Sequence, residues 1–249
     1  MATVIHTENL AISFDGITPV FQGLNLAIEK GEFVTLVGVS GVGKSSLLRV
    51  IADLIPAFKG SVAVDAPADP TRRAIAMVFQ ASNLMPWRRV KDNVALGLEG
   101  LEVTEDLKQE RISRTLDLVG LADYADRWPY QLSGGQRQRI GIARSLAVDP
   151  DILLMDEPFG ALDAITRTAL QDELLRIWKD TGKSVLFVTH DIEEAVYLGN
   201  RVLLLGGQPG RIINEYHIDI DRAERRGSDA FFRHVAKVRE GLETAIKGY

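Results

Sequence analysis

At 249 residues, with no cysteine and a formal charge of −5, the chain has room for one large α/β domain or a domain with an inserted lobe. The missing cysteine excludes disulfides and thiolate metal sites, and the mildly acidic balance argues weakly against nucleic acid as the main partner. No basic stretch leading into an apolar core opens the chain, and no apolar run approaches the ~20 residues of a membrane span, so a soluble, cytoplasmic chain is expected, with other chains supplying any membrane spans.

In chain order, segments 4–14 and 20–28 alternate in polarity around the turn pair Asp15-Gly16, which reads as an antiparallel β-lobe. Residues 33–37 are an apolar strand. The run Gly38-Val39-Ser40-Gly41-Val42-Gly43-Lys44-Ser45 follows, fits G-x-x-x-x-G-K-[ST], and leads into a helical pattern over 45–54. A second strand, 74–79, stops at Gln80. Strand signal then vanishes from 88 to 147, a helical insertion whose clearest helix is 105–119. Late in it, Leu132-Ser133-Gly134-Gly135-Gln136 opens a helix reaching 147, with Ser133 placed as an N-cap.

Beyond the insertion, strand 152–156 ends on Asp156-Glu157, and helix 167–180 sets Leu170, Leu174, Ile177 and Trp178 on one face before Gly182. Strand 185–189 delivers His190, strand 202–205 follows, and Phe231, Val235, Val238, Leu242 and Ala245 mark an amphipathic terminal helix. Short apolar strands alternating with helices read as a mostly parallel sheet flanked by helices.

The residue types at these strand ends define the chemistry. Glycines on a strand-to-helix turn let the backbone wrap phosphate oxygens and aim N–H groups at them, and the helix N-terminus adds partial positive charge. Gly38, Ser40, Gly41, Val42, Gly43, Lys44, Ser45 and Ser46 are the expected phosphate contacts. Lys44 would neutralise the β- and γ-phosphates, and the Ser45 hydroxyl would hold Mg²⁺. Asp156 and Glu157 at the mouth of a buried strand would be costly without a cation or a task. Ser133-Gly134-Gly135 forms a second anion-binding helix start. His6, His217 and His234 have ordinary structural readings.

The phosphate motif, the 132–136 run and Asp156-Glu157, in this order, resemble the ATP-binding subunit of ABC transporters, from near the N-terminus to about residue 215. The resemblance implies a P-loop NTPase ABC ATPase core with an antiparallel β-lobe and an inserted helical subdomain. The domain would run over 1–218, with 88–147 as the helical subdomain and 219–249 as a helical extension. By the same resemblance Asp156 holds Mg²⁺, Glu157 is the general base, Gln80 contacts the metal or attacking water, and His190 contacts the γ-phosphate. Phe14, 24 residues ahead of Gly38, either stacks on adenine or belongs to the core of the β-lobe. Ser133, Gly134, Gly135 and Gln136 would close over ATP held by a second subunit, with Asp163 crossing that interface. The implied unit is a homodimer sandwiching two ATP molecules.

Leu84-Met85-Pro86-Trp87 either receives a helix from a membrane permease or makes an ordinary contact between lobes. With Asp92-Asn93-Val94-Ala95, Glu157-Pro158-Phe159-Gly160-Ala161-Leu162-Asp163 and Pro209-Gly210-Arg211-Ile212, it looks like the nitrate/sulfonate/taurine importer branch. That branch implies a small, often anionic cargo, an extracytoplasmic solute-binding protein, a peripheral place at the cytoplasmic face of the membrane, and no nucleic acid. A soluble ABC ATPase of DNA repair or ribosomes is the alternative. It fits less well, because the interval 45–131 leaves no room for a long coiled coil and the chain carries one cassette. Export stays open, since the motifs do not encode direction. A small-molecule P-loop kinase would leave 132–136 without a purpose. Val39, Val42 and Asp53 depart from the family's usual residues, and Asp53, where Gly is frequent, has no explanation in the sequence.

Overall fold

The computed structural model describes residues 2–66, 68–160, 162–222 and 225–247, and it divides into two compact units. One comprises Met1–Asp65 and Ser184–Tyr249, the other Ala66–Lys183. Among the described residues, no helix is long and apolar enough to cross a membrane.

The first unit begins with β1 (Thr3–Ser13) and β2 (Pro19–Glu29), paired antiparallel from Thr3↔Glu29 to Ser13↔Pro19. Alternation puts Ile5, Leu10, Ile12, Phe21, Leu24 and Ile28 inside. The Asp15 carboxylate closes the hairpin by accepting from the Ser13 hydroxyl and the Ile17 and Thr18 amides. Bonds to those amides, Thr18 foremost, hold its pKa well below the usual carboxylate range. Next come β3 (Phe33–Gly38), buried throughout, and α1 (Lys44–Ile51). Then β4 (Lys59–Val64) pairs with the free edge of β1, giving the order β2-β1-β4.

In the second unit, β5 (Ile75–Val78) runs parallel to β6 (Ile152–Asp156), in register from Ile75↔Ile152 to Val78↔Met155. Between them lie α2 (Val90–Ala95), α3 (Glu105–Leu118) and α4 (Gly134–Ala147), and after them α5 (Ala164–Thr181). The helices bury Val90, Val94, Ile112, Leu116, Ile140 and Ala143. On α5, Leu170, Leu174 and Ile177 are buried and Trp178 is half-buried. Gly182 ends the helix at φ 61, the left-handed C-terminal cap that glycine adopts without penalty.

The chain then returns to the first unit through β7 (Ser184–Val188), α6 (Ile192–Leu198), β8 (Arg201–Gly206), β9 (Arg211–His217) and α7 (Asp229–Lys247). Parallel β3 lies between β7 and β8, with Phe33 opposite Val185 and Gly38 opposite Leu205, while β9 is antiparallel to β8. Phe231, Val235 and Val238 of α7 join Val37, Ala195, Val196 and Leu204 in one apolar cluster. Each fully buried large aliphatic there contributes roughly 1.5–3 kcal/mol. Arg225, just ahead of α7, is buried and donates to the carbonyls of Val196, Tyr197 and Gly199, so its guanidinium caps the end of α6. Burial lowers its pKa to about 10, which leaves it charged at neutral pH.

Candidate functional site

The phosphate motif occupies the turn from β3 into α1. Gly43 is the N-cap of α1 at φ 94, and a Cβ there would stand 2.5 Å from Val20 Cγ1 and 2.6 Å from Phe21 Cε2. Only glycine fits. As an N-cap it offers no side-chain acceptor to the first-turn N–H groups, and no acidic residue stands in that turn. A helix start of this kind suits an anion. Lys44 is only 6% exposed, and its Nζ donates to the carbonyls of Gly38 (2.8 Å) and Val39 (3.1 Å). The ammonium is thus held over its own loop by bonds that phosphate oxygens can replace. Ser40 and Gly41 are exposed, Val42 is buried, and Ser45 and Ser46 are half-buried.

Two further residues flagged by the sequence lie in the same unit. Phe14, just past the end of β1, is 70% exposed, which removes the core reading and leaves a ring free to stack. His190 is exposed at the exit of β7, where the Thr189 amide bonds the Leu36 carbonyl and ties the strand end to β3. Asp191 caps α6 immediately afterwards, accepting from the amides of Glu193 and Glu194.

In the other unit, Asp156 ends β6 at 7% exposure. Glu157 follows at φ 43, the left-handed region that non-glycine residues seldom enter. Such a conformation costs on the order of 1–3 kcal/mol and clusters at functional sites. Glu157 closes a turn in which its carbonyl accepts from Gly160 N at 3.1 Å. A Cβ on Gly160 would lie 3.4 Å from Gln80 Nε2 and 3.8 Å from Glu157 Oε2, so the two side chains converge on one glycine. Ala161, in the run between Glu157 and Asp163, lies outside the described residues.

Ser133 caps α4 through a reciprocal pair. Its hydroxyl accepts from Gln136 N (3.2 Å), and Gln136 Oε1 accepts from Ser133 N (2.9 Å). Ser133 and Gly134 are exposed. A Cβ on Gly135 would stand 2.5 Å from Thr166 Cγ2, while Asp163 caps α5 by accepting from Thr166 N at 3.0 Å. The 133–136 turn and Asp163 therefore meet at Thr166. That backbone bond keeps the Asp163 pKa below its ordinary value.

Some supporting roles escaped the sequence reading. Gln138, buried on α4, donates to the Phe79 carbonyl and fixes the strand end that carries Gln80. Its signal was an amide on the buried face of a helix, which periodicity alone does not flag. Asn93, fully buried on α2, accepts from Met85 N and donates to the carbonyls of Met85, Arg88 and Arg89. It pins the loop that presents Trp87, which is 71% exposed. Asp53 gains its explanation here. At φ 56 it follows the α1 C-cap, its N–H bonds Val50 O, and Leu54 N–H bonds Arg49 O. These are the two bonds of a Schellman motif, with Asp53 in the left-handed position glycine usually takes.

The family model for "ABC transporter" matches residues 21–160. An uncharacterised ABC transporter ATP-binding protein of Methanocaldococcus jannaschii is 43% identical, over 99% of this chain and 94% of its own length. The taurine import ATP-binding protein of Rhizobium johnstonii is 48% identical, over 81% of this chain and 77% of its own. Among solved structures, a dimeric ATP-binding cassette in a post-hydrolysis state bound to ADP and Pi aligns with a TM-score of 0.74 at 32% identity, covering 87% of this chain and all of that one.

Proposed function

Because the chain belongs to the ABC transporter family, we propose that it is the ATP-hydrolysing subunit of a membrane importer for a small nutrient of the nitrate/sulfonate/taurine type, most of them anionic. The ATPase half of that reading is carried by the α1 N-terminus, glycine-capped with the buried Lys44 ammonium over its loop. The import half follows the relative named for taurine import.

In the proposed mechanism, the amides of 40–46 and Lys44 hold the triphosphate, and Phe14 stacks on adenine. Ser45, Asp156 and Gln80 offer hard oxygen donors and would hold Mg²⁺. The ion would neutralise charge on the phosphates. Glu157 takes the proton of the attacking water, a role worth about 10²–10⁴ in rate, and His190 contacts the γ-phosphate. Ser133, Gly134, Gly135, Gln136 and Asp163 act on the nucleotide of a second copy, so the working unit is a homodimer with two composite sites. ATP binding would draw the copies together and hydrolysis would release them, a ligand-driven shift of population.

Residues 1–218 would form the ATPase domain, with 88–147 as its helical subdomain and 219–249 as the extension. The permease would dock a short helix beside exposed Trp87, at a groove of about 380 Å³ lined by Met77, Asn83, Met85, Leu96 and Arg144. Such docking sets the chain at the cytoplasmic face of the membrane, and the permease in turn receives cargo from an extracytoplasmic binding protein.

Glu157→Gln tests the whole reading. The variant is expected to bind ATP, to lose at least ~10²-fold in phosphate release, and to accumulate as an ATP-bound dimer on size-exclusion chromatography. A tagged form, incubated with ATP and native membranes, should bring down a multi-span permease. Normal turnover would remove Glu157 as the base. Soluble partners alone, with the permease demonstrably extracted, would favour a soluble ABC ATPase.

A further inference from the structure

We infer that the nucleoside of ATP held by the P-loop lies against the turn between β8 and β9 and the last turn of α7, with Gln208 and Ile246 as its contact residues; this rests on the ATPase reading above. The placement begins with register. Parallel β3 and β8 pair Gly38 with Leu205, so the P-loop and the 206–209 turn leave the sheet at the same edge. Small ligands of parallel α/β sheets sit beyond the carboxyl ends of their strands.

A cleft of about 700 Å³ occupies that position, lined by Val20, Ser40, Gly41, Gly207, Gln208 and Ile246 among others. The volume falls in the range of roughly 300–1,000 Å³ usual for small-molecule sites. No charged side chain stands among its described lining residues. The cleft therefore suits the neutral, flat part of a nucleotide, while the triphosphate belongs to Lys44 and the start of α1. Val20, Ile246 and Pro209 supply apolar wall. The exposed Gln208 amide offers both a donor and an acceptor, as base edges and ribose hydroxyls require.

The wall is built to hold its place. The Gly210 amide bonds the Val20 carbonyl at 2.8 Å. A Cβ on Gly210 would stand 2.7 Å from Val42 O and 2.9 Å from Phe21 Cδ1, so the turn is pressed onto the P-loop. On its other side, a Cβ on Gly206 would lie 3.3 Å from the Ala245 Cβ. Seated in this way, the end of the terminal helix is a side of the cleft, and the extension gains a task. Phe14 is not among the lining residues, so its contact and that of Gln208 are separable by mutation.

Binding to the full-length chain, measured with Mg-ATP and with Mg-tripolyphosphate, tests this placement. Gln208→Ala and Ile246→Ala are each expected to weaken ATP about 3–10-fold, the effect of one lost hydrogen bond or apolar contact, and to leave tripolyphosphate unchanged. Photolabelling with 8-azido-ATP should mark 206–210 or 241–247. Unchanged ATP affinity in both variants, equal losses for both probes, or label confined to 11–17 would overturn the inference and leave the ATPase reading standing. Lys44→Ala should weaken both probes. A wild-type chain that binds neither ATP nor tripolyphosphate would instead bring down the ATPase reading, and this inference with it.

Discussion

Helices α1 and α4 both start beside the glycines of a motif, yet they treat their first-turn donors in opposite ways. On α1 the cap is Gly43, which has no side chain, no acidic residue stands in the first turn, and the Lys44 ammonium bonds the Gly38 carbonyl. On α4, Ser133 and Gln136 cap one another. One end has no side-chain cap of its own, while the other is satisfied by its own side chains. The difference suits the different uses proposed for two motifs that read alike in sequence. A cradle that binds a triphosphate on its own needs unsatisfied donors. A surface proposed to meet a nucleotide held by a second copy would need to survive exposure to water in the meantime.

Adding one methyl group should split the pair most sharply. Gly43→Ala forces a side chain into the left-handed region and onto Val20 and Phe21, and the expected loss of stability is about 3 kcal/mol or more. Gly134→Ala meets nothing within 4 Å, so its unfolding free energy should stay within about 0.5 kcal/mol of the parent's. If the two variants unfold at the same denaturant concentration, the contrast between these helix starts is wrong.

Charge comes next. Lys44→Ala removes the ammonium from α1, and ATP should bind about 10–100-fold more weakly, as expected for losing a charge-assisted contact. Titration calorimetry reads this directly, and an unchanged dissociation constant would remove Lys44 from the site. Ser133→Ala opens the capping pair on α4 at a cost of about 1 kcal/mol, whereas Ser133→Gly should cost only a few tenths. No measurable loss in Ser133→Ala, followed by urea melts, would mean that the Ser133 hydroxyl is not the cap that holds α4.

Much of this was legible before the structure. The strands carrying the site are apolar on both faces, and such runs announce themselves: 152–156 reads from sequence with the bounds it has in the fold. By contrast β4 and β9 went unread, because most of their side chains are exposed or half-buried and their polar residues break any alternation. Candidate site residues could be named where a motif fixes both type and spacing. What no spacing shows is long-range convergence. Gln80 and Glu157 meet at Gly160, and the cleft beside the P-loop gathers 18–20, 39–42, 206–209 and 245–246 from four stretches of chain. Backbone state is equally silent in sequence, as the left-handed Glu157 demonstrates.

Asp53 gives the smallest effect and tests the far end of α1. Aspartate tolerates left-handed backbone better than most side chains, because its short polar group hydrogen-bonds locally, yet it still pays a steric cost that glycine avoids. Both Schellman bonds are already made by backbone groups of Asp53 and Leu54, so replacing the side chain sacrifices neither. Glycine's greater freedom in the unfolded chain offsets part of the relief. The net gain expected for Asp53→Gly is therefore only about 0.5 kcal/mol, a rise of roughly 1–2 °C in Tm for a chain of this size. A fall in Tm would show that the Asp53 carboxylate makes a contact worth more than the strain it imposes. The aspartate would then be a stabilising substitution for the family's glycine, and the left-handed angle would be its cost.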